Sequence, residues 1–245
     1  MAEPPAPGGV PVQDGVFVSG SPMRHVVVMT AAGSVGLMAI FIVDFFSLLY
    51  VSWLGDPRLT AAVGFATTIL FITTSVNVGL MIAVSALVSR SLGARDRETA
   101  RRLAASSLVH LVAASAIVTL AIVPALPWIL RQLGASPDTL EIAHRFLLIV
   151  MPSNVLMALG MGFSGVLRAA GDARRAMYVT LAGGVVTAGL DPLLIFSAGL
   201  GVDGAAYATI VSRISFAVVG FWGAVAVHDL VARPNLERVI ADLRV

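Results

Sequence analysis

Polar punctuation divides this chain into six apolar blocks. Residues 59–89 and 146–167 hold no Asp, Glu, Lys, Arg or His; residues 26–55 hold only Asp44, 103–130 only His110, 176–202 only Asp191, and 204–227 only Arg213. Each block exceeds the roughly 20 apolar residues that a helix needs to cross hydrocarbon. A transmembrane barrel would instead show segments of about 10 residues with alternating polarity. The pattern therefore predicts an all-α integral membrane protein, a six-transmembrane-helix bundle. The spans are expected at about 26–54, 59–89, 100–124, 138–167, 173–199 and 203–230.

Between the blocks stand helix signals. Asp96 and Asp172 are placed to cap the helices that follow, Glu98 falls in a first turn, and Gly93 and Gly171 are placed to end the helices before. Pro152 and Pro192 should kink the fourth and fifth spans. Residues 1–21 are rich in Pro and Gly and carry no Lys or Arg, which reads as a disordered tail rather than a signal peptide. Residues 22–231 form the bundle, and 232–245 a second tail.

Composition agrees with the pattern: 58% of residues are hydrophobic, 12% are charged, and mean hydropathy is +0.92. A soluble domain carries about 25% charged residues. There is no Cys, so disulfides, thiolate nucleophiles and Cys-ligated metals are excluded. All of the positive side-chain charge is Arg. Arg24, Arg90, Arg95, Arg97, Arg101, Arg102, Arg168, Arg174, Arg175, Arg233, Arg238 and Arg244 fall on one side of the six-span arrangement, while the opposite loops hold Arg58 and Arg131. By the positive-inside rule both termini are cytoplasmic, in a multi-pass protein of the cell (inner) membrane. The basic charge marks topology and gives no reason to expect nucleic-acid binding. No Walker A sequence is present and no cofactor is expected.

The charges inside the spans are the candidate chemistry, because one such side chain at mid-bilayer costs about 2.5–3.5 kcal/mol. At about 1.5 Å per residue from the helix ends opposite the Arg-rich loops, Asp44 and Arg213 lie about 15 Å deep and Asp191 about 12 Å. They share one layer. Asp191 and Arg213, on consecutive spans, are expected to form a buried pair, and Ser47 is the expected hydroxyl partner of Asp44. In that arrangement Asp44 would be the freer proton carrier.

Several stretches resemble the first six-helix half of the multidrug and toxic compound extrusion (MATE) transporters. They are VSWLGDPRLTAAVG (51–64), ALVSRSLGARDRETAR (86–101), GVLRAAGDARRAM (165–177) and LDPLLIFSAGLGVDGAAYAT (190–209). The resemblance covers residues 26–230 in order. It implies one lobe of a two-lobed antiporter that exports amphipathic or cationic compounds in exchange for H⁺ or Na⁺, with the cation site inside this lobe. It maps the family's helix-five Asp to Asp191, just before Pro192, and a helix-six Thr to Thr209. A helix-one Asp falls at Ser47, with Asp44 one turn earlier; an expected Asn is Thr187 and an expected Tyr is Phe146. Na⁺ could still use Asp191, Thr187 and Thr209, but so reduced an oxygen set favours H⁺. The resemblance also implies a second six-helix lobe as partner, by homodimerisation or from a separate chain. RPNLERVIADLRV (233–245) falls where the inter-lobe linker would begin.

Other readings remain beside it. Gly162-Phe163-Ser164-Gly165 with His228 could form the Ser–His dyad of an intramembrane protease, though small residues at this density are mainly packing surfaces. His110 is expected to bond Ser106 or Ser107. Met151, Met157 and Met161 are expected to be filler rather than an adaptable drug surface, and Arg97–Arg102 a solvated anchor or an anionic-lipid contact. A non-transporting structural subunit or truncated fragment is the alternative to a transporter. The sequence and the resemblance together lead to the expectation of a MATE-like half-transporter, not an enzyme, whose coupling residues are Asp191, Asp44, Thr209, Thr187 and Ser47, supported by Arg213, Pro192 and Phe146.

Overall fold

A computed structural model describes residues 22–232 together with Asp242; the expected disordered segment 1–21 and the rest of the C-terminal tail lie outside the described residues. The chain folds into α1 (Pro22–Ser52), α2 (Pro57–Gly93), α3 (Arg97–Gln132), α4 (Pro137–Val150), α5 (Asn154–Ala169), α6 (Ala173–Pro192) and α7 (Gly201–Phe221). A 3₁₀ turn, Met151–Ser153, joins α4 to α5, so these two form one span; π-helical turns Leu193–Ser197 and Trp222–Val227 extend α6 and α7. Among the described residues, six helices are long and apolar enough to cross a membrane.

The turns follow the chemistry of their residues. Asp96 accepts from the Thr99 backbone N–H at 2.9 Å, and Asp172 from that of Arg175 at 3.0 Å, so both cap as expected. Gly171 ends α5 in the left-handed region at φ +82°, but Gly93 does not end α2 this way. There Arg95 takes φ +59°, because the chain closes two residues later through Ala94 N–H to Arg90 O and Asp96 N–H to Ser91 O, both 3.1 Å. The third span also differs from expectation. Instead of ending near 124, α3 runs through Pro124 and Pro127 to Gln132. Interior prolines are tolerated in membrane helices because local adjustment and neighbouring groups re-satisfy the freed carbonyls.

Aromatic residues mark both rims. Trp53 and Trp128 are exposed at one end of the bundle and Tyr178 and Trp222 near the other, where the Arg-rich turns lie, matching the interfacial belts of membrane proteins. Phe71, Ile117, Leu120 and Val185 are exposed between the rims.

Inside, the core is divided. One apolar cluster, toward the end away from the Arg-rich turns, includes Val51, Ile69, Leu126, Leu147, Ile195 and Ala206. A second, toward the Arg-rich end, includes Val84, Leu108, Val166, Val179, Phe216 and Ala224. On the five spans that contribute to both clusters, polar side chains fall in the sequence interval between them: Asn77, Ser115 and Thr119, Ser153 and Asn154, Thr187 and Asp191, and Ser212 and Arg213; on α1, which contributes to the first cluster alone, Ser47 joins them through its bond to Asp191. The shared layer inferred from Asp44, Asp191 and Arg213 is thus a belt that all six spans supply.

The α6–α7 corner depends on close backbone approach. A Cβ at Gly204 would stand 2.7 Å from the Leu194 carbonyl carbon and oxygen, with backbone on both sides and no flexible tip to move. Gly204→Ala should therefore destabilise the bundle by about 1–3 kcal/mol, read as a lower thermal midpoint in detergent; an unchanged midpoint would contradict this packing.

Candidate functional site

Asp191 sits in the last turn of α6, one residue before Pro192, and is 1% exposed. α6 packs along α1, which brings Ser47 against it: the Ser47 hydroxyl donates to Asp191 Oδ2. Asp191 Oδ1 has no hydrogen-bond partner among the described residues. Buried carboxylate oxygens are rarely left this way without an unmodelled occupant or a chemical role. Beyond Pro192 the π-helical turn widens the helix, closing with Ala198 N–H on Leu193 O at 2.9 Å, so the carboxylate stands at an irregular point of the span.

Arg213, 6% exposed on α7, does not pair with Asp191. Its Nη1 donates to the Val150 carbonyl at 3.1 Å and to Ser153 Oγ at 3.0 Å. The reason lies in the α4–α5 junction. Pro152 interrupts the helical hydrogen bonding, and Asn154 gives its N–H to Met151 O, so the Val150 carbonyl lacks the helical partner four residues on. Ser153 Oγ at 2.6 Å and Arg213 take that place. A frayed carbonyl and a guanidinium satisfy each other more directly than Asp191 could from the next helix. Asp44 is exposed, yet its carboxylate is within electrostatic reach of both Arg213 and Asp191. The expected roles are therefore exchanged: Ser47 serves Asp191 rather than Asp44, and Asp44 rather than Asp191 is the carboxylate whose charge acts on Arg213.

The remaining expected site residues are less directly engaged. Thr187 Oγ1 donates to Gly183 O at 3.1 Å and Thr209 Oγ1 to Ala205 O at 2.9 Å, each within its own helix. Phe146 is buried in the apolar cluster that also contains Ile195, outside the polar belt. An open groove of about 530 Å³ between the ends of α1 and α2 is lined by Leu48, Ser52, Gly55, Pro57, Thr60, Ala61 and Gly64, with no ionisable group.

A second part of the belt was not anticipated. Asn154, fully buried at the start of α5, accepts from Asn77 Nδ2 at 3.0 Å and donates to Ser115 Oγ at 3.0 Å and Thr119 Oγ1 at 3.1 Å; Ser115 in turn donates to the Asn154 carbonyl at 3.4 Å. This hub joins α2, α3 and α5, and Asn77 Oδ1 is left unpartnered. The signal was available in the sequence as lone amides inside blocks free of charge, which an inventory of charges passes over.

The other constellations resolve into packing and anchoring. Ser164 donates to the Ala176 carbonyl at 3.3 Å, and a Cβ at Gly165 would stand 2.9 Å from Met81 O. His228 bonds Asp172 Oδ2 at 2.7 Å, so Ser164 and His228 form no dyad. His110 Nε2 is buried without a partner, and Ser106 donates instead to Asp242 at 2.7 Å. The expected His110 hydroxyl bond is therefore not made at Nε2. Met151 and Met161 are buried core residues. Arg97 donates to His228 O at 2.7 Å, Arg101 to Asp229 at 2.8 Å, and Arg102 lies 3.7 Å from Asp242. These arginines hold the segment that follows α7, in place of a purely solvated or lipid-facing role.

Comparison with known proteins places this architecture. The family model MatE matches residues 34–193. The multidrug export protein MepA of Staphylococcus aureus is 26% identical over 209 residues, covering 83% of this chain and 46% of its own length. A FAD transporter of Shewanella oneidensis is 30% identical over 193 residues, covering 75% of this chain and 41% of its own. A crystal structure of a MATE protein in a bent conformation superposes with a TM-score of 0.84 at 26% identity, over 95% of this chain and 53% of that one. The chain thus spans about half the length of the relatives it matches.

Two substitutions test the arrangement around the site. Asn154→Ala strands Asn77 Nδ2, Ser115 and Thr119 together, and should cost about 1–3 kcal/mol, measured by thermal unfolding; a wild-type melt would mean that the hub holds nothing. At the Arg-rich end, burial raises the Asp172 carboxyl, but the Arg175 backbone N–H, His228 and the Arg175 guanidinium outweigh it and hold it below its ordinary 3.8. A lowered folded-state value stabilises above 3.8 and is lost as pH falls through that lowered value. Asp172→Asn should therefore be less stable by about 1 kcal/mol at neutral pH, with the deficit shrinking below pH 3.8; a deficit independent of pH would remove the charge from the explanation.

Proposed function

Because the chain belongs to the MatE family, we propose that it is one lobe of a secondary antiporter that exports amphipathic or cationic small molecules in exchange for H⁺. The observation that carries the reading is the buried Asp191 carboxylate, with a hydroxyl on one oxygen and nothing on the other, in the polar belt of a membrane bundle. Such a group can take up a proton and be neutralised, and the cost of a bare charge at mid-bilayer makes its occupancy matter to the bundle's shape.

In this reading Asp44, left uncovered by the other helices of this chain, faces a water-filled cavity that a second lobe would help enclose and exchanges the proton there, and Asp191 takes the load deeper in the belt. Neutralising Asp191 changes what α6 presents beside Ser47, and the Pro192 and π-helical irregularity gives α6 a point at which to respond. Coupling requires that the proton favour one arrangement of the lobe over the other, since a ligand bound equally well by both shifts nothing. H⁺ is favoured over Na⁺ because a hard cation needs several convergent oxygens. Thr187 and Thr209 donate along their own helices, Phe146 brings no oxygen, and position 47 offers a hydroxyl in place of a carboxylate. Relatives named for multidrug export and for FAD suggest bulky amphipathic cargo without fixing its charge. The Arg-rich turns would face the cytoplasm of the cell membrane, and a second six-helix lobe, from another copy or another chain, would complete the pathway.

The test is reconstitution into proteoliposomes with an imposed pH gradient and a fluorescent lipophilic cation as cargo. Wild-type efflux should follow the gradient, and Asp191→Asn should abolish it. Unchanged efflux in Asp191→Asn would sink the mechanism, Na⁺-driven efflux without a pH gradient would reverse the choice of ion, and no ion-driven efflux by the wild type would favour a non-transporting subunit.

A further inference from the structure

We propose that residues 228–232, the segment that follows α7, form a strap that closes the Arg-rich end of the bundle over α5, with His228 as the residue that joins its two sides. The inference stands on contacts at the end of the bundle, outside the polar belt, and holds whether or not the antiport reading does.

The segment is fastened on two sides. Toward α3, Arg97 donates to the His228 carbonyl at 2.7 Å and Arg101 to Asp229 Oδ1 at 2.8 Å, while the Ala232 N–H returns to the Arg101 carbonyl at 3.2 Å. Toward the α5–α6 turn, His228 Nε2 donates to Asp172 Oδ2 at 2.7 Å, the oxygen that Arg175 also holds. His228 thus meets α3 with its backbone and Asp172 with its ring. Between the fastenings Leu230 is buried in the apolar cluster at this end, and its N–H closes on the Ala224 carbonyl at 3.0 Å. Asp229 takes φ +46°, a left-handed conformation that a non-glycine residue keeps where its surroundings over-determine it.

What the strap joins would otherwise be separate. α3 and α7 do not pack along one another, and α5 lies between them. It meets α3 where Gly162 leaves room for Leu108 and Leu111, and α7 where Gly220 leaves room for Phe163. The turn that carries Asp172 is the end of that middle helix. A segment that leaves α7, bonds this turn and continues to α3 therefore encloses the end of α5. An exposed ion pair alone contributes little, and Arg101–Asp229 is half-exposed. Here it acts beside backbone bonds and a buried leucine in one short segment, so that fixing the segment at one point lowers the ordering cost at the others. The first turns of α3, the α5–α6 turn and the end of α7 thus respond together. A lobe tied at this end is left to bend in its other half, where Pro192 and the π-helical turn interrupt α6.

Amide hydrogen exchange of the full chain in lipid nanodiscs reads this on the side that a substitution does not touch. Arg97→Gln together with Arg101→Gln removes the side-chain fastenings to α3 and should speed exchange at residues 177–181 of α6 by about threefold or more, the size of one net hydrogen bond. His228→Phe, which fills the space but cannot donate to Asp172, should do the same at residues 101–106 of α3. His228→Gln keeps a side-chain donor and should restore much of the protection. Changes confined to the substituted side would overturn the proposal, because the contacts would then be independent surface bonds, and so would wild-type exchange in both variants. Should the double arginine variant fail to fold, His228→Phe against His228→Gln decides by exchange in α3 alone.

Discussion

The structure depends on one constraint: polar groups at the mid-depth of a membrane bundle have no water to turn to, so each must be satisfied by another span. The two apolar clusters can pack by shape alone, but the belt between them must match donor to acceptor across helices. Asn154 meets Asn77, Ser115 and Thr119, while Arg213 meets Val150 and Ser153, and Ser47 meets Asp191. These matches fix register and rotation in a way that lipid-like side chains cannot, because apolar surface is equally content against lipid or against a neighbouring helix.

Breaks in the helices are part of the same solution. Pro152 and Pro192 each fall at the belt, and each is followed or enclosed by a non-α turn. A regular helix hides its carbonyls in its own hydrogen bonds and has none to offer a neighbour. At the 3₁₀ turn the Asn154 N–H goes to Met151 O rather than to Val150 O, and Arg213 bonds the Val150 carbonyl there, which allows a guanidinium to be buried without a contacting carboxylate. The π-helical turn beyond Asp191 similarly allows Gly204 to bring α7 against the Leu194 backbone, shaping the wall behind the carboxylate.

The six long apolar helices, their order and the family were legible because each rests on one-dimensional signals: block length, polar punctuation and local motifs. Pairing was less legible. Assigning Asp191 to Arg213 assumed that opposite charges on consecutive helices find each other, but rotation about a helix axis sets which neighbour a side chain faces, and the belt as a whole sets that rotation. The Asn77–Asn154 hub was passed over for a related reason. An amide carries no charge and scarcely interrupts an apolar block, yet in hydrocarbon an unsatisfied amide costs several kcal/mol, so its position is as constrained as that of an ion. α3 continues beyond the expected 124, through Pro124 and Pro127 to Gln132, because in hydrocarbon a freed carbonyl has no solvent to bond and little is gained by ending the helix there.

Among the described residues, two buried oxygens of the belt escape the matching, Asp191 Oδ1 and Asn77 Oδ1, and they are not equivalent. Asn77 belongs to a neutral hub whose remaining bonds already join three helices, so a single water there would complete a structural element. Asp191 carries charge, sits beside an irregular turn, and has only one donor from another helix. The energy of its surroundings therefore changes with its occupancy far more than that of Asn77 does. A site that drives a conformational change must be one whose empty and loaded states differ in what they ask of their neighbours; in the proposed antiport the α6 carboxylate would be that site, and the amide hub the fixed frame against which α6 would move.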